Sequence, residues 1–277
     1  EVVFPAVHGA VGEDGALQGL LEVLELPYVG SGVLASALAM DKAMARRIFA
    51  AEGLPVAAGA AFPRGDAHRI ARDARRRFGA ALVVKPGGSG SALGVARLES
   101  TASDEEVAAA LEAAWQVDDV AVVEHFAHGR EVTCAVLDPT GDSPFAGGVA
   151  LPPTEIRAPV DAFYTFQARY AAGRSEHLCP APLGEALTAE VQRVALAAHR
   201  ALGCRDLSRV DFIVGDDDDP HRLALLEVNT LPGFTPTSLF PEAAGVAGLS
   251  FPALCDLLVR SASARGATRR NAPVAMP

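Results

Sequence analysis

The sequence predicts a mixed α/β or α+β protein built in several lobes, and three observations carry that prediction. Helix-like segments closed by glycine alternate with short runs rich in valine and leucine. The chain has 277 residues, half of them apolar, which is ample for a real core. No apolar run approaches the ~20 residues that a membrane-spanning helix needs.

Taken in order, Val2–Val7 reads as a buried strand ending at His8-Gly9, and the polar loop Gly12-Glu13-Asp14-Gly15 precedes a helix near Leu17–Leu26 that Pro27 stops. A first strand followed by a single helix reads as the tail end of a larger N-terminal domain. Helices follow from about Ala39 to Glu52, closed by Gly53, and over Ala67–Phe78, closed by Gly79. Ser103 and Glu106 form a capping box that opens an alanine-rich helix reaching Trp115. Strands are expected at Val120–Glu124 and Arg130–Leu137, then a proline-rich irregular stretch over Leu151–Pro182. A helix covers Leu187–Leu202, and strands at Ser208–Val214 and Arg222–Val228 flank the turn Gly215-Asp216-Asp217-Asp218-Asp219-Pro220. A helix near Phe251–Ala262 leads into a basic tail expected to be mobile.

A net charge of −10 with scattered arginine argues against a nucleic-acid surface, and nothing in the chain reads as a membrane segment. Cys134, Cys179, Cys204 and Cys255 are far apart with no CxxC pair, which fits reduced thiols in the cytoplasm.

The chemistry starts with lysine. There are two, Lys42 and Lys85, against twenty-two arginines, so a compact ammonium survives where a guanidinium fork would not fit. Lys85 ends the run Ala80-Ala81-Leu82-Val83-Val84 and opens Pro86-Gly87-Gly88-Ser89-Gly90-Ser91-Ala92-Leu93-Gly94. A strand ending in lysine before a glycine- and serine-rich loop is a backbone suited to wrapping phosphate oxygens.

Arg209-Val210-Asp211 and Glu227-Val228-Asn229 lie on successive strands, with the polar residues two apart and so on one face. Opposed, Asp211, Glu227 and Asn229 would gather oxygen donors for a hard cation such as magnesium; a solvated sheet face neutralised by Arg209 is the alternative. The tetra-aspartate turn reads as a solvated hairpin tip. The loop Thr230-Leu231-Pro232-Gly233-Phe234-Thr235-Pro236-Thr237-Ser238-Leu239 could offer the Gly233 amide beside Arg209 to a developing oxyanion. Glu124 and Glu131 bracket His125–Arg130, and Arg169-Tyr170 lies in the irregular region where a lid is expected.

In order, His8-Gly9, Gly12–Gly15, Gln18–Glu22, Pro27–Gly30, Met40-Asp41-Lys42, the Lys85 loop, Glu131, Arg169-Tyr170, Arg209-Val210-Asp211 and Glu227–Gly233 resemble D-alanine–D-alanine ligase, an ATP-grasp family. The resemblance runs to about residue 260. It implies an ATP-grasp fold in which central and C-terminal lobes grip ATP: 1–32 the remnant of an N-terminal α/β substrate domain, 33–123 the central lobe, 124–265 the C-terminal lobe and 266–277 the tail. It implies ATP and two Mg2+ (or Mn2+) as cofactors, D-alanine as substrate, a role in peptidoglycan precursor synthesis, and a homodimer for the full-length form.

The roles it implies are these. Lys42, Lys85 and Arg169 contact nucleotide phosphates under the loop holding Gly90 and Ser91; Glu124 and Phe126 face adenine and Glu131 the ribose. Asp211, Glu227 and Asn229 hold the metal ions. His8 and Ser91 adjoin the first D-alanine, with Tyr170 on the lid; Arg209 and Gly233 stabilise the tetrahedral intermediate, and Ser238 and Leu239 receive the second D-alanine. This chain departs from the family pattern at Arg169, where lysine is usual, and at Ser89 and Ala92, and it lacks the family's N-terminal segment. Two further readings follow: a nucleotide-binding protein without ligase turnover, and a ligase whose second substrate is D-lactate or D-serine.

Overall fold

The computed structural model describes residues 1–88, 90, 93–157, 176–215 and 222–267. Ser89, Ser91, Ala92, Arg169, Tyr170, the tetra-aspartate turn and residues 268–277 of the tail lie outside the described residues.

The described elements are helices α1 (Ala16–Val23), α2 (Val33–Met40) and α3 (Lys42–Ala51), strand β1 (Gly59–Pro63), helix α4 (Ala67–Phe78), strands β2 (Leu82–Pro86) and β3 (Ala96–Leu98), and helix α5 (Asp104–Ala114). Strands β4 (Val120–His125), β5 (Arg130–Asp138), β6 (Val149–Ala150), β7 (Thr154–Arg157) and β8 (Glu176–Leu178) follow. Helix α6 (Glu185–Ala201), strands β9 (Asp206–Val214) and β10 (Leu223–Asn229), and helices α7 (Leu239–Val246) and α8 (Phe251–Arg265) complete the order.

Two antiparallel sheets organise the chain: one in the order β1-β4-β2-β3, the other β10-β9-β5-β7-β8 with β6 also on β5. Helices α4 and α5 cover the first sheet, with Ala71, Ala74, Leu82, Leu111 and Trp115 in its core. The second sheet is covered on both faces. Val132, Cys134, Val136, Val210 and Phe212 pack toward α2, α3 and α6, whereas Ala135, Leu137 and Leu207 pack toward α7 and α8. That alternation is the period of two that a doubly covered strand requires.

Local chemistry accounts for several boundaries. Ser103 and Glu106 cap α5 reciprocally, as predicted. The expected helix from Ala39 to Glu52 is instead α2 and α3, because Asp41 leaves the helical region (ψ 94°) and its side chain accepts from the Met44 amide as the N-cap of α3. The expected strand over Val2–Val7 is reduced to one parallel bridge, Val3 with Tyr28. The stretch expected to be irregular contributes β7, which pairs with β5, and β8, which pairs with β7; neither pairing could be read from a proline-rich sequence.

All four cysteines are free thiols. Burial pushes the Cys204 thiol up to about 12 and Cys134 further in the same direction. Among the described residues no single helix is long and apolar enough to cross a membrane.

Candidate active site

One face of the larger sheet changes character along its length. Beneath α7 and α8 it is apolar; beyond them it carries Thr133 on β5, Arg209 and Asp211 on β9, and Glu227 and Asn229 on β10. The strand registers set Glu227 opposite Asp211 and Asn229 opposite Arg209, with Thr133 opposite Asp211 on the other side. A register shift between Leu225 and Glu227 turns Glu227 and Asn229 onto this face while Leu225 and Val228 stay in the core.

Asp211 is buried, and Arg209 grips it with a fork: Nε to Oδ1 and Nη2 to Oδ2, both at 2.9 Å. Thr133 Oγ1 donates to Asp211 Oδ1 at 2.6 Å. Asn229 Oδ1 accepts from the Leu231 amide at 2.9 Å, which starts the loop that follows. Two carboxylates and an amide oxygen make a hard donor set suited to magnesium, which fills its other positions with phosphate oxygens and water. Among the described residues no group of three His, Cys, Asp or Glu side chains converges, so a cation here would depend on Asn229 and on a bound substrate.

Helix α3 ties this face to the smaller sheet. Its first residue, Lys42, sets Nζ 3.3 Å from Glu227 Oε2, and its backbone amide donates to the Gly87 carbonyl at 2.8 Å. One turn on, Arg46 Nη1 lies 2.6 Å from Glu124 Oε1. Lys85 Nζ reaches the other oxygen of Glu124 at 2.6 Å. Burial pushes the Glu124 carboxyl up, but the charges of Lys85 and Arg46 outweigh it and hold the group below its usual range. Both predicted lysines therefore sit beside the glycine-rich loop, one toward each sheet. Gly90, within that loop, accepts through its carbonyl from the Leu93 amide at 3.2 Å.

The remaining candidates occupy the surroundings. Phe126 follows β4, donates its amide to the Ala81 carbonyl at 3.0 Å and lies under the Arg97 guanidinium, 4.0 Å from its ring centroid. Glu131 is on β5, two residues before Thr133 and so on the same face. A Cβ added to Gly233 would come within 3.1 Å of Ser238 Oγ, which itself accepts from the Thr235 amide at 3.0 Å. Leu239 opens α7 directly after Ser238.

His8 is exposed on the N-terminal loop. Beside it Glu13 accepts from the Gly9 amide. Burial raises the Glu13 carboxyl above its ordinary range against the pull of the Gly9 amide, His8 and Arg209, and the negative charge of Glu227 adds to the rise. The N-terminal loop is thereby electrostatically coupled to the Arg209–Glu227 face. Gln18 Nε2 steadies the loop by donating to the Gly12 carbonyl at 2.8 Å.

Two site neighbours were not singled out from the sequence, Arg46 and Thr133, and Glu13 was read only as part of the polar loop Gly12–Gly15. Arg46 had a legible signal, one helical turn after Lys42. Thr133 had none, because its role depends on Asp211 across the sheet.

Two antiparallel sheets, bridged by a lysine-led helix over a glycine-rich loop and an acidic strand pair, define the ATP-grasp class. Family models agree: the D-ala D-ala ligase C-terminus matches residues 48–260 and the D-ala D-ala ligase N-terminus residues 1–31. The chain belongs to the D-alanine–D-alanine ligase family. It is 46% identical over 263 residues to a D-alanine–D-alanine ligase of Anaeromyxobacter dehalogenans, covering 95% of this chain and 80% of that protein. With one from Parvibaculum lavamentivorans it shares 48% over 267 residues, at the same coverage. The fold resembles the D-alanine-D-alanine ligase of Coxiella burnetii (TM-score 0.78, 32% identity, 95% of this chain and 69% of that one). It also resembles the VanG D-Ala:D-Ser ligase of Enterococcus faecalis (TM-score 0.81, 32% identity, 94% and 72%).

Proposed function

We propose that this chain is an ATP-dependent ligase that joins two D-alanines to D-alanyl-D-alanine, a peptidoglycan precursor. Besides family membership, the observation that carries the reading is the 3.3 Å contact of Lys42 with Glu227. It holds the basic, glycine-rich side of the site directly over the acidic pair, which is the arrangement phosphoryl transfer needs: positioning and charge neutralisation rather than covalent help.

In the first step the carboxylate of one D-alanine attacks the γ-phosphorus of ATP, and ADP leaves. In the second, the amine of another D-alanine attacks the acyl phosphate carbonyl, and phosphate leaves. Lys42 and Lys85 hold the nucleotide phosphates beneath the loop with Gly90. Glu124 and Phe126 border the adenine and Glu131 the ribose. His8 orients the first D-alanine, with Glu13 setting its loop. Arg209 and the Gly233 amide face the oxyanion of the second step, while Ser238 and Leu239 receive the second D-alanine. Asp211, Glu227 and Asn229 would hold magnesium, two ions by family resemblance, which would supply charge neutralisation for phosphoryl transfer when bound. Roles for Ser91, Arg169 and Tyr170 rest on family resemblance.

The same reading divides the chain into 1–32, 33–123, 124–265 and 266–277, and has the enzyme working in the cytoplasm as a homodimer. The test is D-alanine-dependent phosphate release with Mg-ATP, with D-serine and D-lactate offered in competition and products weighed by mass spectrometry. D-alanyl-D-alanine supports the reading. A mixed product changes the acceptor, and ATP binding without D-alanine-dependent release overturns the ligase.

A further inference from the structure

The loop after β10 ends at Ser238, the N-cap of α7, and α7 is a weak helix. Its eight residues, Leu-Phe-Pro-Glu-Ala-Ala-Gly-Val, include a proline in the first turn and a glycine near the end, and Ser238 makes no side-chain cap to it. The Ser238 hydroxyl is turned back to Thr235, 3.0 Å from its amide and 2.8 Å from its Oγ1. Phe240, wholly buried beside Phe234, anchors one side of the helix.

On another side stands a hydrogen-bonded pair across the fold: His177 Nδ1 lies 3.0 Å from Glu242 Oε2, both half-buried. Glu242 belongs to the first turn of α7, and its amide donates to the Ser238 carbonyl at 3.0 Å. His177 belongs to β8, which pairs with β7, which pairs with β5, which pairs with β9 and so with Asp211. Cys179, two residues after His177, also feels Glu242, whose charge adds to the effect of burial in raising its thiol.

The pair therefore closes a mechanical ring. From Asp211 one path runs through β10 and the loop to Ser238; the other runs through β5, β7 and β8 to His177 and across to Glu242. Without the pair, α7 is held by its loop and by the burial of Phe240, Pro241, Ala243 and Ala244, with no polar tie among the described residues on the His177 side of its first turn. We infer that His177 and Glu242 are positioning residues for the acceptor subsite, fixing Ser238 and Leu239 relative to Asp211. This rests on the reading that those two residues receive the second D-alanine.

The test uses the full chain with Glu242→Gln and His177→Lys. Velocity over a wide D-alanine range separates the donor and acceptor KM values, and hydrogen exchange follows residues 238–246. Because the pair is partly exposed, Glu242→Gln should raise the acceptor KM about fivefold at most, with kcat, donor KM and ATP KM within about twofold. Exchange in the first turn of α7 should speed up while α8 is unchanged. His177→Lys places a cationic donor opposite Glu242 and should hold the acceptor KM near that of the unchanged chain.

An unmoved acceptor KM or unmoved exchange in Glu242→Gln overturns the pairing, as does a parallel loss in every constant. No D-alanine-dependent phosphate release from the unchanged chain would instead sink the ligase reading and the acceptor role with it. Turnover with an unmoved acceptor KM sinks this inference alone.

Discussion

Arg265, the last residue of α8, closes both terminal nitrogens on Asp206: Nη1 to Oδ1 and Nη2 to Oδ2, each at 2.8 Å. Asp206 has no solvent exposure, has φ at +61°, and also accepts from the Gly30 amide and from Ser261 Oγ. The second Arg265 nitrogen continues to the Tyr28 carbonyl at 2.7 Å. One buried carboxylate thus fastens the N-terminal segment, the start of β9 and the last helix.

Removing the arginine strands that charge. Arg265→Ala should cost about 3–5 kcal/mol, as removing one partner of a buried pair does. Equilibrium denaturation measures it, and an unchanged midpoint would show that the cluster contributes nothing.

The Lys85–Glu124–Arg46 group gives a pH-dependent prediction. The charges of Lys85 and Arg46 hold the Glu124 carboxyl below its ordinary range, so its ion pairs stabilise the fold fully above that range, and the contribution is lost as pH falls through the depressed folded value. Lys85→Met should therefore be less stable than the unchanged chain at neutral pH, with the gap closing in acid. If Lys85 also holds phosphate, the ATP KM should rise about tenfold or more, the worth of a charge-assisted hydrogen bond.

Thr133 touches no proposed substrate, yet its hydroxyl orients Asp211. Thr133→Val should raise the magnesium concentration needed for half-maximal activity about tenfold, the lower range for a group that orients a metal ligand. Glu227→Gln serves as the comparison, because it alters a proposed ligand directly. A magnesium titration that does not move with Thr133→Val would place Asp211 outside the metal site.

Glu13 should trade stability for activity. Burial raises its carboxyl in the fold, so its contribution is full below the ordinary carboxylate range and is lost as pH rises through the raised folded value. At neutral pH the buried charge is a burden, and Glu13→Gln should melt at the same temperature or higher. The same change should raise the donor D-alanine KM about tenfold if Glu13 orders the His8 loop, since a charge-assisted hydrogen bond is replaced by a neutral one. A lower melting temperature with unchanged kinetics would make Glu13 purely structural.

The acidic pair was legible because alternation along two strands already put Arg209 with Asp211 and Glu227 with Asn229 on common faces; pairing had only to oppose them. The capping box on α5 and the glycine closing α4 were legible for the same reason, since each is settled within a few residues. What escaped depended on distant partners. The strand expected over Val2–Val7 keeps one bridge, because pattern alone does not supply a neighbour to pair with. β7 and β8 were hidden in a proline-rich stretch and exist by virtue of β5. α7 carries Pro241 and Gly245, a poor helix on propensity, and is held by the burial of Phe240.

Arginine does nearly all the positive work in this protein, and the two lysines, with side chains 11% and 10% exposed, both lie against site carboxylates. Within these 277 residues a general acylating reagent, which elsewhere decorates a surface at random, meets just two side-chain amines, both sheltered. Mass increments at these two positions would count occupancy directly: if, as proposed, a nucleotide sits over Lys42 and Lys85, it should shield both, so the two residues act as a built-in footprinting reporter.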